Sequence, residues 1–173
     1  FFLKLHSGFI DIVMQTRELR ILVYEYNAIS ELPESDRKLV LAAREAAKSA
    51  YAPYSGFCVG AAIQLENNEL FTGNNQENAA YPAGLCAERV ALFYANARYP
   101  GTSVRSLAVT AVTKKGIVDG PVKPCGSCRQ ALAEAESRYN GPIRIILDGK
   151  KKIQVFEGID NLLPFAFKPE SLD

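Results

Sequence analysis

Two short stretches that contain cysteine constrain this chain more than any other feature of its sequence. The first, at residues 86–89, has the sequence Cys-Ala-Glu-Arg, and the second, at residues 124–128, has the sequence Pro-Cys-Gly-Ser-Cys. Three thiols and one carboxylate at this spacing suit a zinc ion with three protein ligands and a general acid/base beside it. The rest of the chain has to accommodate such a site.

The predicted zinc ligands are the three cysteines of these stretches, Cys86, Cys125 and Cys128. A structural zinc site would need a fourth ligand, but the single histidine, His6, lies in the N-terminal stretch, and Cys58 falls in a predicted buried strand. A redox dithiol would use the Cys-x-x-Cys pair and leave Cys86 and Glu88 without roles. Three ligands therefore favour a catalytic zinc with an open fourth position over these two alternatives.

Glu88 and Arg89 complete the first stretch. Glu88 follows the first predicted ligand by two residues, so its carboxylate is near the metal and could move a proton from water to a ring nitrogen and a leaving amine. A zinc ion with three thiolates carries net negative charge, which calls for positive charge nearby. Both motifs fall at predicted helix N-termini, and Arg89 is the preferred partner for a thiolate; its alternative is an exposed place on the helix.

The composition is typical of a single soluble domain. The chain has 173 residues and a formal net charge of +1, and no apolar run approaches about 18 residues. These properties predict neither a membrane span nor broad binding to nucleic acid. Four cysteines without a convincing signal peptide indicate a reducing compartment, the cytoplasm.

The N-terminal part of the chain is the least informative. Met14 is the only methionine, and one hypothesis is that the native protein begins there, with residues 1–13 a tag, an extension or a processed product. Residues 1–33 are expected to form an N-terminal extension of uncertain structure, in which residues 21–24 could be a short strand. Residues 34–173 are expected to form one domain.

The order of elements predicts the fold class. Helices are predicted from Pro33 to before Pro53, from Leu85 to about Tyr99 and from Gly126 to Tyr139. Strands are predicted at residues 57–65, 70–73, 107–112, 143–147 and 152–156. Helices distributed among strands that are covered on both faces predict a three-layer α/β/α sandwich with a mixed five-stranded sheet.

From about residue 34 to its end, the chain closely resembles the small homotetrameric cytidine deaminases. The similarity rests on linked motifs: Asn-x-Glu-Asn-Ala at 75–79, Tyr-Pro-Ala-Gly at 81–84, and the two cysteine stretches, the second continuing as Arg-Gln. The cysteine spacing is itself the established signature of the zinc deaminases. The chain departs from the family pattern at Ser127, where alanine is frequent, and at Lys123, where a small residue is common.

This resemblance implies one zinc ion per subunit and a set of residues around a nucleoside. Asn75 and Glu77 would bind the ribose hydroxyls, which suits a neutral sugar better than a phosphate; the alternative is a polar loop that caps its own backbone. Phe57 would lie against the pyrimidine ring, the amide of Ala87 at the ring carbonyl, and Tyr81 along the wall of the site.

Two more roles follow from the resemblance. Gln130 would hydrogen-bond a zinc thiolate from outside the ligand set. Residues 162–167 resemble the closing segment of the family, whose phenylalanine reaches the substrate of a neighbouring subunit. That phenylalanine would be Phe167, with Phe165 as the alternative.

The resemblance therefore implies a zinc-dependent deaminase of free cytidine and deoxycytidine, acting in pyrimidine salvage as a homotetramer with shared sites. Three alternatives are a deaminase of a nucleoside-like antibiotic such as blasticidin S, a polynucleotide deaminase, and a non-enzymatic zinc-stabilised binding module. The near-neutral charge disfavours the polynucleotide substrate, which usually requires a basic groove with aromatic platforms. The sequence does not distinguish ribose from deoxyribose.

Overall fold

A mixed β-sheet runs through the computed structural model, which describes residues 14–172. The strands are β1 (Tyr24–Tyr26), β2 (Cys58–Leu65), β3 (Leu70–Asn74), β4 (Val104–Thr113), β5 (Gly116–Ile117), β6 (Arg144–Leu147) and β7 (Ile153–Glu157). Their order across the sheet is β1-β7-β6-β4-β2-β3, and β5 pairs with β4. β4 and β6 are parallel, whereas the other pairs of these strands are antiparallel.

The helices cover both faces of this sheet, so the predicted three-layer α/β/α architecture is confirmed. They are α1 (Glu34–Ala47), α2 (Ala87–Arg98) and α3 (Gly126–Tyr139), with short 3-10 helices at Ile29–Glu31, Tyr81–Ala83, Ile159–Asn161 and Pro169–Ser171. Side chains of the central strand β4 alternate between the two layers: Leu107 and Val109 pack under α2 and α3, whereas Ala108 packs under α1. This alternation is the period of two expected of a strand buried on both faces.

The sheet has seven strands rather than the predicted five, because two short strands join its margins. β5 has two residues and β1 has three, too few to produce a recognisable alternation of apolar and polar side chains. Residues 24–26 form β1, which pairs with β7 in this sheet, and Leu32 is buried in the core under α1. Some residues before the predicted boundary at residue 33 therefore contact the sheet and the core, and the boundary itself stays a prediction.

Helix α1 ends at Ala47, several residues before the predicted limit at Pro53. The chain leaves the helix because Tyr51 pairs with the segment that follows β3: its amide donates to Asn75 O at 3.0 Å, and its carbonyl accepts from Glu77 N at 2.8 Å. Residues 51 and 75–77 are thereby held side by side. His6 and the stretch before Met14 lie outside the described residues, and none of the helices within residues 14–172 is long and apolar enough to cross a membrane.

Two glycines set how closely the helices lie on the sheet. A Cβ atom on Gly60 of β2 would come within 2.0 Å of the Ala43 carbonyl oxygen, and one on Gly73 of β3 within 2.6 Å of the Ala91 nitrogen. No other residue fits at either position without moving a backbone. Gly73 therefore seats the first turns of α2, the helix that begins at the first cysteine stretch.

A buried ion pair links α1 to the end of β6. Asp148 is 0% exposed, and its two carboxylate oxygens accept hydrogen bonds from Arg44 Nε and Nη2, both at 2.8 Å. Thr110 Oγ1 on β4 donates to the same carboxylate at 2.8 Å. Because the carboxylate has no access to solvent, its charge depends on these donors for stabilisation.

We predict that Arg44→Ala lowers the free energy of unfolding by about 3 kcal/mol, because it leaves the Asp148 carboxylate buried and unpaired. The matched control is Lys48→Ala, which removes an exposed ion pair with Glu45 on the same helix and should cost less than about 1 kcal/mol. Denaturant unfolding of both variants measures the difference. Equal losses in the two variants would contradict the role given to the buried pair.

Candidate active site

The three predicted ligands meet at the N-termini of α2 and α3. Cys86 is the N-cap residue of α2, Cys125 is the N-cap residue of α3, and Cys128 lies in the first turn of α3 and is 0% exposed. The Sγ atom of Cys125 is 3.8 Å from that of Cys86 and 3.5 Å from that of Cys128. All three sulfur atoms lie within 4.8 Å of one another.

This arrangement fits one zinc ion. Two thiolates that bind a tetrahedral zinc ion at about 2.3 Å have sulfur atoms about 3.8 Å apart, close to the two distances observed. Soft sulfur donors also favour zinc over magnesium or calcium, which bind oxygen ligands. Three such donors leave the fourth tetrahedral position free for water or substrate.

Positive charge surrounds the sulfur atoms. Arg89 Nη2 lies 3.8 Å from Cys86 Sγ, and both helix N-termini point toward the cluster. The nearby Cys128 thiol and, to a lesser degree, Arg89 lower the pKa of Cys86 to about 5. The neighbouring Cys86, together with burial, raises the pKa of Cys128. A bound dication would displace the remaining thiol protons.

Glu88 is a buried carboxylate beside this cluster. It lies in the first turn of α2 and is 5% exposed. Burial, and to a lesser degree the charge of Cys86, raises the pKa of Glu88 above its usual value. A carboxyl group whose pKa moves toward neutrality both accepts and returns protons, as a general acid/base requires.

Cys86, Cys125 and Glu88 form the floor of a cavity of about 600 Å³, and the buried Cys128 does not line it. One wall carries Asn75 and Glu77, and the mouth carries Tyr54 and Tyr81, whose rings meet edge to face with centroids 6.3 Å apart. Tyr81 is 76% exposed, so one side of its ring remains open to solvent. The cavity thus presents a metal-binding floor, a polar wall and an aromatic mouth.

Hydrogen bonds from neighbouring residues fix the polar wall. Asn75 Oδ1 accepts from Val59 N at 2.7 Å, and Asn75 Nδ2 donates to Phe57 O at 3.0 Å, so this side chain binds the backbone of β2 and its approach. These contacts are to the backbone of a distant segment, whereas the alternative described a polar loop that caps its own backbone. The Asn75 amide still has one donor and one acceptor position left for a ligand.

Glu77 has partners in the turn before β2. Ser55 Oγ donates to Glu77 Oε1, and the Tyr54 amide donates to Glu77 Oε2 at 2.9 Å. These hydrogen bonds, chiefly the one from Ser55, lower the pKa of Glu77, so the carboxylate is ionised at neutral pH. An oriented anionic acceptor of this kind suits the hydroxyl groups of a sugar.

Phe57 and Ala87, two further residues predicted for the site, differ in where they lie relative to the cavity. The side chain of Phe57 is not among those that line it, although Val59 is. The chain turns at Gly56, with φ of 64°, and β2 begins only at Cys58, so strand alternation does not extend back to Phe57. Ala87 is 0% exposed and opens α2 between two residues of the cavity floor; the role of its amide stays a prediction.

Gln130 binds the C-terminal segment in this structure, and its predicted hydrogen bond to a zinc thiolate stays a prediction. Gln130 Nε2 donates to Phe167 O at 2.6 Å, and Phe167 N donates to Gln130 Oε1 at 3.2 Å, so both ends of the amide bind the C-terminal segment rather than a cysteine. Phe167 itself is 59% exposed and Phe165 is 80% exposed. Neither ring lines the cavity of its own chain.

Sequence reasoning missed Ser55 and Lys123 as residues of the cavity wall. Ser55 lies 22 residues before its partner Glu77, and no local pattern connects the two. Lys123 could have been suspected, because it departs from the family pattern directly before the second cysteine stretch. Its Nζ donates to Pro121 O at 3.1 Å, which turns the amine back onto its own loop.

Comparisons with known proteins agree with this site. Residues 33–139 match the family model described as "Cytidine and deoxycytidylate deaminase zinc-binding region". The chain is 44% identical over 145 residues to the cytidine deaminase of Halalkalibacterium halodurans, covering 80% of this chain and 98% of that one. It is 41% identical over 135 residues to the cytidine deaminase of Sporosarcina psychrophila, covering 78% and 93%.

Solved structures give the same result. The crystal structure of cytidine deaminase from Burkholderia pseudomallei superposes with a TM-score of 0.65 at 36% identity, covering 79% of this chain and all of that one. Cytidine deaminase from Mycobacterium tuberculosis superposes with a TM-score of 0.60 at 32% identity, covering 79% and 98%.

We predict that the purified protein carries about one zinc per chain and that Cys128→Ala loses most of it, because two thiolates bind zinc far more weakly than three. Cys58→Ala is the matched control, since Cys58 lies in β2 outside the sulfur cluster and should keep the wild-type ratio. Elemental analysis gives both values. Loss of zinc from the Cys58 variant, or its retention in the Cys128 variant, would contradict the ligand assignment.

Proposed function

The chain belongs to the cytidine deaminase family of zinc-dependent enzymes, and we propose that it hydrolyses cytidine and deoxycytidine to uridine and deoxyuridine with release of ammonia. The observation that carries this proposal is the group of three clustered thiols, two of which line one cavity together with the buried Glu88 and the polar side chains of Asn75 and Glu77. Such a reaction would serve pyrimidine salvage in the cytoplasm. The four free thiols among the described residues are compatible with that reducing compartment.

We assign Cys86, Cys125 and Cys128 as the ligands of one zinc ion. Bound there, the ion would supply a Lewis acid that lowers the pKa of the attacking water. Arg89 offsets the negative charge of the thiolates through its contact with Cys86. The N-termini of α2 and α3 contribute in the same direction.

Glu88 moves the protons in this proposal. It takes one from the water whose oxygen bonds to C4 of the pyrimidine and transfers it to the ring nitrogen N3. It then carries the second proton of that water to the amino group, so the C4–N bond breaks, ammonia leaves, and C4 keeps the oxygen as a carbonyl. The raised pKa of Glu88 suits a group that must be base and acid within one turnover. The Ala87 amide, at the start of α2, would donate to the carbonyl at C2.

The polar wall favours a free nucleoside over a nucleotide. Glu77 is ionised and faces the cavity, where it would accept hydrogen bonds from ribose hydroxyls but repel a phosphate. Asn75 has hydrogen-bonding capacity left for the same sugar. Tyr81, at the mouth, would shield the ring from solvent.

Exposed aromatic rings support an assembly with shared sites. Phe165 and Phe167 near the C-terminus, and Phe93 and Tyr94 on α2, are each more than half exposed. Aromatic residues are enriched at surfaces that another subunit covers. We propose a homotetramer in which Phe167, with Phe165 as the alternative, stacks on the substrate in the neighbouring subunit.

Glu88→Gln should retain zinc and lose activity by about 10²- to 10⁴-fold in kcat, because an amide cannot accept and return the protons. The matched control is Glu69→Gln in the exposed turn between β2 and β3, for which we expect wild-type kcat. Loss of cytidine absorbance measures both. Substantial turnover by the Glu88 variant with zinc still bound would rule out this proton-transfer role.

Hybrid tetramers test the shared site directly. Glu88→Gln and Phe167→Ala chains should each be impaired alone, because one lacks the base and the other lacks the ring given to its neighbour. Co-expressed at equal amounts, they should regain about a quarter of wild-type activity, since random mixing pairs an intact Glu88 with an intact neighbouring ring. Activity no greater than the sum of the separate variants would show that Phe167 acts within its own chain or not at all.

A further inference from the structure

The C-terminal segment, residues 158–167, lies along α3 and is held there by side chains of that helix. Apolar anchors start it: Ile159 is 0% exposed and Leu162 is 9% exposed, both in the core under α2 and α3. Glu136 of α3 accepts the Ile159 amide at 2.8 Å. Beyond Leu162 the chain is mostly at the surface, so its course depends on specific polar contacts.

Arg129 provides the first of these contacts. It follows Cys128 directly, and its guanidinium bridges two backbone carbonyls: Nε donates to Pro124 O at 2.8 Å, and Nη1 donates to Leu162 O at 2.7 Å. One carbonyl lies immediately before Cys125, and the other lies in the C-terminal segment. The planar guanidinium fork can span both, which a single ammonium group cannot do.

Gln130 provides the second contact. Its amide binds both the carbonyl and the N–H of Phe167, at 2.6 and 3.2 Å. Two hydrogen bonds to one residue fix both the position and the rotation of its backbone, and thereby the direction in which its side chain leaves the surface. The Phe167 ring is nevertheless more than half exposed, so the helix holds the backbone and leaves the ring available.

We propose that Arg129 and Gln130 are positioning residues that fix the C-terminal segment so that Phe167 points into the neighbouring subunit's cavity. The inference rests on the proposed shared site. Both residues follow a predicted zinc ligand on α3. The helix that contributes to the zinc site of one subunit would therefore also hold the Phe167 ring that enters the site of its neighbour. An exposed phenylalanine on an unrestrained segment would lose conformational entropy on each binding event, and the two side chains remove that cost in advance.

A double-mutant cycle tests the proposal. We expect Gln130→Ala to raise the KM for cytidine about tenfold with kcat changed much less, because the contact with the substrate ring is weakened rather than the chemistry. Phe167→Ala should raise KM by at least as much, and the double variant should match Phe167→Ala alone. Arg129→Lys, which keeps the charge but cannot bind both carbonyls, should give a smaller rise in KM.

The matched control is Lys168→Ala, directly after the segment, which removes an exposed ion pair with Asp160 and should leave KM unchanged. Hydrogen exchange gives a readout independent of activity: the Phe167 amide should lose protection in Gln130→Ala and keep it in Lys168→Ala. Zinc content, thermal midpoint and sizing show whether each variant still folds and assembles.

The outcomes separate the two proposals. A normal KM in Phe167→Ala overturns the shared site and with it the purpose of the positioning contacts. A raised KM in Phe167→Ala with a normal KM in Gln130→Ala overturns only the positioning role. Additive effects of the two substitutions, or an unchanged exchange rate at Phe167 in Gln130→Ala, would also overturn it.

Discussion

The close approach of three thiol groups is the constraint on which the rest of the structure depends. Sulfur atoms within 4.8 Å of one another repel strongly once they ionise, unless positive charge lies nearby. The chain supplies that charge from α2, α3 and Arg89, whose guanidinium lies 3.8 Å from Cys86 Sγ. The two helices must therefore begin at the same point in space, and the fold is built so that they do.

The sheet and its glycines produce this convergence. Gly73 lets β3 lie close to the first turns of α2. Because β4 and β6 are parallel, these two strands end at the same edge of the sheet, the one that carries the cavity. The polar wall follows from the same arrangement, because the segment after β3 pairs with Tyr51 before it reaches Cys86. A buried Glu88 at the start of α2 is then a consequence of where the helix begins, and its raised pKa is a consequence of that burial.

Much of this could be predicted from the sequence, because the signals are local. Helix α3 has its predicted bounds: it opens at a Cys-x-x-Cys motif and closes at Asn140, whose φ of 51° suits a helix end before Gly141-Pro142. Helix α1 was predicted too long, because the proline rule gives only the last possible residue, whereas pairing of Tyr51 with Asn75 and Glu77 ends the helix sooner.

What could not be predicted involves residues distant in the chain. The contact of Gln130 with Phe167 depends on the return of the C-terminal segment along α3, which no local pattern indicates. The link between Ser55 and Glu77 likewise depends on how the turn before β2 meets the segment after β3. Family resemblance supplied roles for Gln130 and Glu77 but did not indicate these contacts, and it did not indicate Ser55 at all.

The most direct test of the central claim is whether the protein deaminates cytidine when zinc is bound and after zinc is removed. Protein carrying one zinc per chain should convert cytidine to equal amounts of uridine and ammonia. The fall in cytidine absorbance measures this conversion. Chelation should abolish conversion, and added zinc should restore it. A folded protein with one zinc per chain that deaminates neither cytidine nor deoxycytidine would contradict the account.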